Sequence, residues 1–370
     1  MKKLFLSTIF LLLFTTFAFS EIKIPVASPY TGPLATFGEG VKNGALLAAE
    51  DINKAGGING EKVKILLEDD MCDPKEAANV ATKIAGMKDV YIVVGHLCSS
   101  ATLSALPIYK RAHLPAISPA STNVTIGRLS KYYFRNVYKD DFQGKFLARY
   151  ADEALHAKKV VIFYENNDYS IGLKDAFIKE AKKRGLKILG TEAYTQDDTD
   201  FKPILTKYRA LRPDVIFIPG YAPQGTLIIS QARELGFKCK FMGADGLDDK
   251  IMLQNPDAEG LMITTPFIPD KAGKAAQKFI KEYKAKFHSE PNWFAANSYD
   301  AVMLAAQAIK HAGKNREKIR AYLASINSPA KAFKGVTGAT YFDKYGDCQK
   351  PAFIKVIKNG KWVGAEIQIK

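Results

Sequence analysis

The chain has 370 residues, 47% hydrophobic and 25% charged, which excludes a disordered or collagen-like protein and is long enough for two domains. Lys and Arg number 53 against 38 Asp and Glu, a formal net charge of +15. The lysines are spread along helical faces (Lys179, Lys182, Lys183, Lys281, Lys284, Lys286) without zinc-finger spacing or basic heptads, so the sequence predicts a solvated basic surface and no nucleic-acid partner.

The first segment reads as a secretory signal peptide. Met1-Lys2-Lys3 is a positive start, Leu4 to Phe19 is apolar apart from Ser and Thr, and Ala18-Phe19-Ser20 places small residues before a cut between Ser20 and Glu21. Residues 1–20 are then a leader, and no Cys follows the cut to take a lipid anchor. A soluble, exported product is expected, in an oxidising compartment where disulfides persist. Of four cysteines, Cys72 and Cys98 both follow predicted strands of one region, which favours that bridge and leaves Cys239–Cys348 as a second. A metal reading of Asp70-Met71-Cys72 with His96-x-Cys98 lacks any C-x-x-C or H-x-x-x-H pattern.

Strand and helix then alternate. Ile22–Ser28 predicts a buried strand, and Val41, Ala45, Ala48, Ala49 and Ile52 mark one face of a helix from Glu39 to Lys54, ended by Ala55-Gly56-Gly57. Next come a strand at Val63–Leu67, a helix at Lys75–Met87, a strand at Val90–Val94, a helix at Ser99–Ala112 and a strand at Ala116–Ser118. The pattern restarts after Arg135: helix 142–156, strand Val160–Tyr164, helix 170–184, strand 187–190, helix 201–210, strand Val215–Ile218 and helix 225–235. Helices at 271–287 and 297–312 precede a β-rich end at Ala339–Phe342, Ala352–Ile357 and Lys361–Val363. Wholly apolar strands, each followed by a helix, imply two α/β lobes with parallel sheets covered on both faces. No low-complexity linker separates them, so short strand-like crossings must join a hinged pair.

Gly38-x-Gly40-x-x-x-Gly44 has the wrong spacing and position for a dinucleotide fingerprint and reads as loop flexibility before a helix. No Walker loop, G-x-S-x-G or H-E-x-x-H occurs, and the five histidines are scattered, so no enzyme and no cofactor are expected. More informative is Gly95-His96-Leu97-Cys98-Ser99-Ser100, a strand end running into a helix that Ser99 or Ser100 would cap, with its N–H groups facing a crevice suited to a carboxylate or phosphate. Ile117-Ser118-Pro119-Ala120-Ser121-Thr122 is a second polar turn of the same kind. In the second lobe, Tyr164-Glu165-Asn166-Asn167-Asp168-Tyr169, Pro219-Gly220-Tyr221 and Phe241-Met242-Gly243-Ala244-Asp245-Gly246 fall at corresponding strand ends. Facing a carboxylate site, these groups suit a zwitterion whose ammonium meets Asp245.

These segments together resemble the leucine/isoleucine/valine-binding proteins, the soluble receptors of branched-chain amino acid ABC importers. The resemblance rests on Thr31-Gly32-Pro33, Ala49-x-Asp51-Ile52-Asn53 with Gly56-Gly57-Ile58, Asp69-Asp70-x-Cys72-Asp73-Pro74, Gly95 to Ser100, Pro119-Ala120-x-Thr122, Tyr169 with Gly172, Gly220-Tyr221 and Met242-Gly243-x-Asp245-Gly246. It implies the type I periplasmic binding protein fold, two doubly wound parallel-sheet lobes joined by a three-segment hinge. The lobes would be 21–138 with 266–338 and 139–265 with 339–370, with crossings near 136–140, 264–268 and 336–342.

By the same resemblance, Ser99 and Thr122 would hold the ligand α-carboxylate, while the Ala120 carbonyl and Asp245 would hold the ammonium. Tyr169 and Tyr221 would close from the second lobe, and Phe37, Leu97, Cys98 and Phe294 would line the side-chain pocket. Its disulfide falls on Cys72 and Cys98. The partners would be a free L-amino acid and inner-membrane permease subunits, with the receptor a periplasmic monomer. Asp245 stands where the best-known members carry Glu, and Phe37 where they carry Tyr or Trp. These departures leave the side-chain preference open between Leu, Ile or Val and Phe, Thr or Ala. The alternative function is a ligand-sensing protein for another small amino acid or amide, in signalling rather than transport.

Overall fold

The structure is a computed structural model that describes residues 21–269 and 273–369. The leader expected over 1–20 lies outside the described residues. Two sheets organise the chain. The first has strand order β2-β1-β3-β4-β5, all parallel, with β1 Ile22–Ser28, β2 Val63–Asp69, β3 Val93–Val94, β4 Ala116–Ser118 and β5 Tyr133–Arg135. The second runs β14-β13-β10-β9-β8-β6-β7, with β6 Lys159–Glu165, β7 Lys187–Tyr194, β8 Val215–Ile218, β9 Lys240–Gly243, β10 Met262–Thr265, β13 Phe353–Lys358 and β14 Lys361–Gly364.

Taken in chain order, each lobe repeats the doubly wound order 2-1-3-4-5, which leaves a crevice where the winding reverses. That crevice lies beyond β1 and β3 in the first lobe and beyond β6 and β8 in the second. Between the sheets the chain crosses three times: from β5 to β6, after β10, and from the hairpin β11 Phe333–Gly335 and β12 Gly338–Thr340 to β13.

The second sheet is not purely parallel. Strands β13 and β14 add an antiparallel edge, joined by Asn359-Gly360 with φ of 53° and 66°. Such a two-residue turn matches the twist of its strands and returns the chain without a crossover helix.

Helices cover both faces: α1 Ala35–Lys54, α2 Pro74–Gly86, α3 Ser99–Arg111, α4 Ile126–Leu129, α5 Asp140–Glu153, α6 Asp168–Lys183, α7 Lys202–Arg209, α8 Ala222–Glu234, α9 Lys250–Gln254, α10 Lys274–Phe287, α11 Trp293–Ala312 and α12 Arg316–Ser325. Helix α2 starts where Asp73 accepts from the Lys75 and Glu76 amides, with Pro74 in the first turn where its missing N–H costs nothing. Asn292 caps α11 through the Ala295 amide.

Helix α1 begins before the expected Glu39, and its glycines are not flexible. A Cβ at Gly44 would lie 2.1 Å from the Ala295 carbonyl oxygen, so this residue lets α1 lie against the first turn of α11. The apolar run Val90–Val94 pairs as a two-residue strand plus an isolated bridge at Val90, so burial rather than laddering explains its composition.

Cys72 and Cys98 form the disulfide, with Cα atoms 5.5 Å apart. The second bridge does not form. Cys239 precedes β9, while Cys348 is buried beside the β5–β6 crossing with its thiol against the Val137 carbonyl, and burial pushes that thiol up to about 12. Among the described residues no helix is long and apolar enough to cross a membrane.

Candidate functional site

In the first lobe the turn after β3 is locked by its own neighbours. The His96 carbonyl accepts from the Ser118 hydroxyl at 2.6 Å and from the Ser121 hydroxyl at 3.1 Å, and Ser121 also reaches the Leu97 carbonyl at 2.9 Å. The buried His96 ring sits between Asp70 (2.6 Å) and the Tyr109 hydroxyl (3.0 Å). This chain of contacts was invisible in the linear spacing of the histidines. It anchors the loop, whose other flank is held by the disulfide.

The expected serine cap of α3 is not there. Cys98 is the N-cap, no side chain caps the helix, and Ser99 is its first residue. The Ser99 hydroxyl instead accepts from the Asn123 amide at 3.3 Å, while Ser100 pairs with Asp168 across the cleft. Side chains therefore leave the first-turn amides of a 13-residue helix unclaimed, with the positive end of its dipole.

The second lobe brings rings and a carboxylate. Tyr169 is the second residue of α6, Tyr221 is the N-cap of α8, and Asp245 follows β9. The Tyr169 hydroxyl donates to Asp245 Oδ1 at 2.7 Å and accepts from the Gly246 amide at 3.1 Å. Its ring stacks on Tyr221 with centroids 5.3 Å apart. Asp245 Oδ2 is buried without a hydrogen bond. Burial pushes the carboxyl up to about 6, opposed by Tyr169, Gln143 and Tyr138.

Leu97, Ser99, Ala120, Thr122, Tyr169, Tyr221, Asp245 and Phe294 converge on one narrow cavity, completed by Gly246 and Trp293. Two expected lining residues stand back from it. Cys98 is committed to the disulfide, and Phe37 stacks on Phe294 at 4.6 Å and tilts toward Tyr221 at 6.1 Å, so it backs the wall instead of forming it. Trp293, stacked on Phe294 at 3.9 Å, takes a lining position that its helical spacing did not signal.

Asp140 was also missed. It is fully buried at the start of α5, neither oxygen has a hydrogen bond, and its carboxyl is held well above the usual range by burial, with Thr122 opposing and Asp245 adding to the rise. A signal existed in the acidic first turn Asp140-Asp141 directly after the β5–β6 crossing. An open groove between α1 and β2 is larger, but it is solvent-facing and no buried polar groups converge on it. No group of three or more His, Cys, Asp or Glu among the described residues is arranged to hold a metal ion.

The lobes meet around the cavity. Ser100 donates to Asp168 at 2.7 Å, Asn123 donates to the Asp168 carbonyl at 2.7 Å, Thr36 donates to Asp249, and Lys250 pairs with Glu39 at 3.5 Å. Chemically, a carboxylate would fit the α3 side and an ammonium the Asp245 side, with aromatic rings between.

A family model described as "Periplasmic binding protein" matches residues 21–361. An "Amino acid binding protein" of Pseudomonas aeruginosa is 35% identical, over 92% of this chain and 91% of the relative. A leucine-, isoleucine-, valine-, threonine- and alanine-binding protein of the same organism is 33% identical, over 89% and 88%. Among solved structures, the branched-chain amino acid transporter binding protein LivJ of Streptococcus pneumoniae, in complex with isoleucine, superposes with a TM-score of 0.88 at 34% identity, covering 95% of this chain and all of that one. The leucine-binding protein LivK of Thermotoga maritima also gives 0.88, at 33% identity over 94% and 98%.

Proposed function

The chain belongs to the periplasmic binding protein family, and from that premise we propose that it is the periplasmic receptor of an amino acid ABC importer, taking leucine, isoleucine, valine or a related apolar amino acid by closure of its two lobes. One observation carries the reading: a buried carboxylate oxygen of Asp245 with no partner lies across an aromatic-walled cavity from the uncapped start of α3. The ligands named for the relatives and for the LivJ complex are of the same class.

In this reading the α-carboxylate takes the Ser99 and Thr122 hydroxyls and the α3 amides. The ammonium takes the Ala120 carbonyl and Asp245. The aliphatic side chain meets Leu97, Trp293 and Phe294. Its burial is worth about 1.5–3 kcal/mol, and the low local dielectric strengthens both ionic contacts. The lobes would be 21–138 with 266–338 and 139–265 with 339–370, bending at the three crossings.

Ligand first meets the preformed first lobe, and closure then adds Tyr169, Tyr221 and Asp245. A permease that reads the closed form would detect the shifted population. The work is binding and release, with no bond made or broken.

Thermal unfolding of residues 21–370, stripped of carried-over ligand, against each of the twenty amino acids tests this. Ligand at 100 times its dissociation constant adds about 2.7 kcal/mol, a shift of several degrees. Shifts confined to leucine, isoleucine and valine are expected. The absence of a shift with every amino acid would overturn the assignment.

A further inference from the structure

We infer that Arg135 is a positioning residue that ties the ligand-carboxylate loop to the strap of the third crossing, residues 341–352 between β12 and β13, an inference that rests on the role proposed for Thr122. Arg135 ends β5 and is fully buried. Its guanidinium donates to the Ser121 carbonyl at 2.9 Å and to the Asn123 carbonyl at 2.9 Å, gripping the backbone on either side of Thr122. The Thr122 carbonyl is itself taken by the Asp140 amide at 3.0 Å. A planar fork holding the carbonyls on either side of one residue restrains the backbone between them, which a single ammonium cannot do.

The other edge of Arg135 faces the strap. Its Nε lies 2.8 Å from Asp347 Oδ1, a buried charge contact without hydrogen-bond alignment, and its backbone N–H donates to the Gly346 carbonyl at 3.0 Å. Gly346 has φ +75°, and a Cβ there would lie 2.1 Å from the Tyr133 carbonyl oxygen, so only glycine lets the strap lie this close to β5. Lys139, beside the first crossing, pairs with the second oxygen of Asp347 at 3.3 Å. Asp347 does not line the cavity. Any bend of the strap therefore pulls on Asp347, through it on Arg135, and through Arg135 on the backbone of Thr122. By linkage, the same contacts let ligand at Thr122 bias the crossing.

The test uses residues 21–370 with Asp347→Asn and Arg135→Lys. Two readouts are taken: amide hydrogen exchange at 121–123 without ligand, and leucine affinity by calorimetry. Asp347→Asn, remote from the cavity, is expected to speed exchange at 121–123 and to weaken leucine about tenfold. Arg135→Lys should do more, and in a Thr122→Ala background either change should add little. Wild-type exchange and affinity in Asp347→Asn would overturn the inference, as would full additivity with Thr122→Ala. If Arg135→Lys does not fold, Asp347→Asn decides. If wild-type protein binds no amino acid, the proposed function falls, and loop exchange alone decides whether the strap reaches 121–123.

Discussion

The two lobes share one strand order yet offer the cleft opposite chemistry. In the first, the groups at the switch point are backbone amides and hydroxyls, already fixed by the lobe's own bonds around the His96 carbonyl. In the second they are two stacked tyrosines and a buried carboxylate with one oxygen unpaired. The first lobe is complete before anything binds. The second holds a buried carboxyl that Tyr169, Gln143 and Tyr138 favour as the anion only in part, so a cation between the lobes would favour it further. One lobe is thus suited to capture and the other to making closure favourable.

The sharpest way to break this contrast is Asp245→Ala. Removing one partner of a buried charge pair costs about 3–5 kcal/mol, so amino acid affinity should fall more than about 100-fold in calorimetry. Near wild-type affinity would remove the ammonium from Asp245.

Proton linkage gives the next largest effect. With the free carboxyl at about 6, protons compete with the ammonium below that pH, so affinity should be about tenfold weaker at pH 5 than at pH 7. The sign reverses for the stability of the ligand-free protein. The folded state binds more protons than the unfolded one between about 4 and 6, so this group's contribution declines as pH rises through that window. Asp245→Asn should flatten both profiles, and a pH-independent affinity in wild type would count against the assignment.

Tyr169→Phe keeps the ring stack but removes the hydroxyl shared by Asp245 and the Gly246 amide. A loss of about tenfold is expected, since hydrogen bonds to charged groups are worth about 1.5–3 kcal/mol. The smallest change tests the contact between lobes. Ser100→Ala removes an exposed hydrogen bond to Asp168 and should raise the dissociation rate about twofold to fivefold, leaving association unchanged in stopped-flow measurements. A slower association in that variant would mean that Ser100 acts in capture.

Much of the frame was legible. Strands β1, β4 and β8 fall on the residues their apolar runs predict, because a parallel strand buried on both faces needs nothing else. Helix α12, strand β5 and the start of α1 were not. Strand β5 is two aromatics followed by Arg135, an ion that reads as surface until its partner Asp347 arrives from more than 200 positions later in the chain. Gly38 and Gly40 lower helix propensity, and their reason lies in neighbours as distant as Asn292. Asp140 and Trp293 were missed for the same cause. An acid in a first helical turn and an aromatic at a helix start are ordinary locally, and only tertiary packing buries Asp140 and sets Trp293 on the cavity wall.

By itself, the sequence determined the alternation of strand and helix, the two-lobe architecture and the chemistry available at each strand end, because burial periodicity and turn residues are local properties. Tertiary structure alone decided which strand ends meet, which of the named residues line the cavity, and which merely brace it. Ser99, Thr122, Tyr169 and Asp245 lie far apart along the chain, and two switch points facing each other bring them within reach of one small ligand.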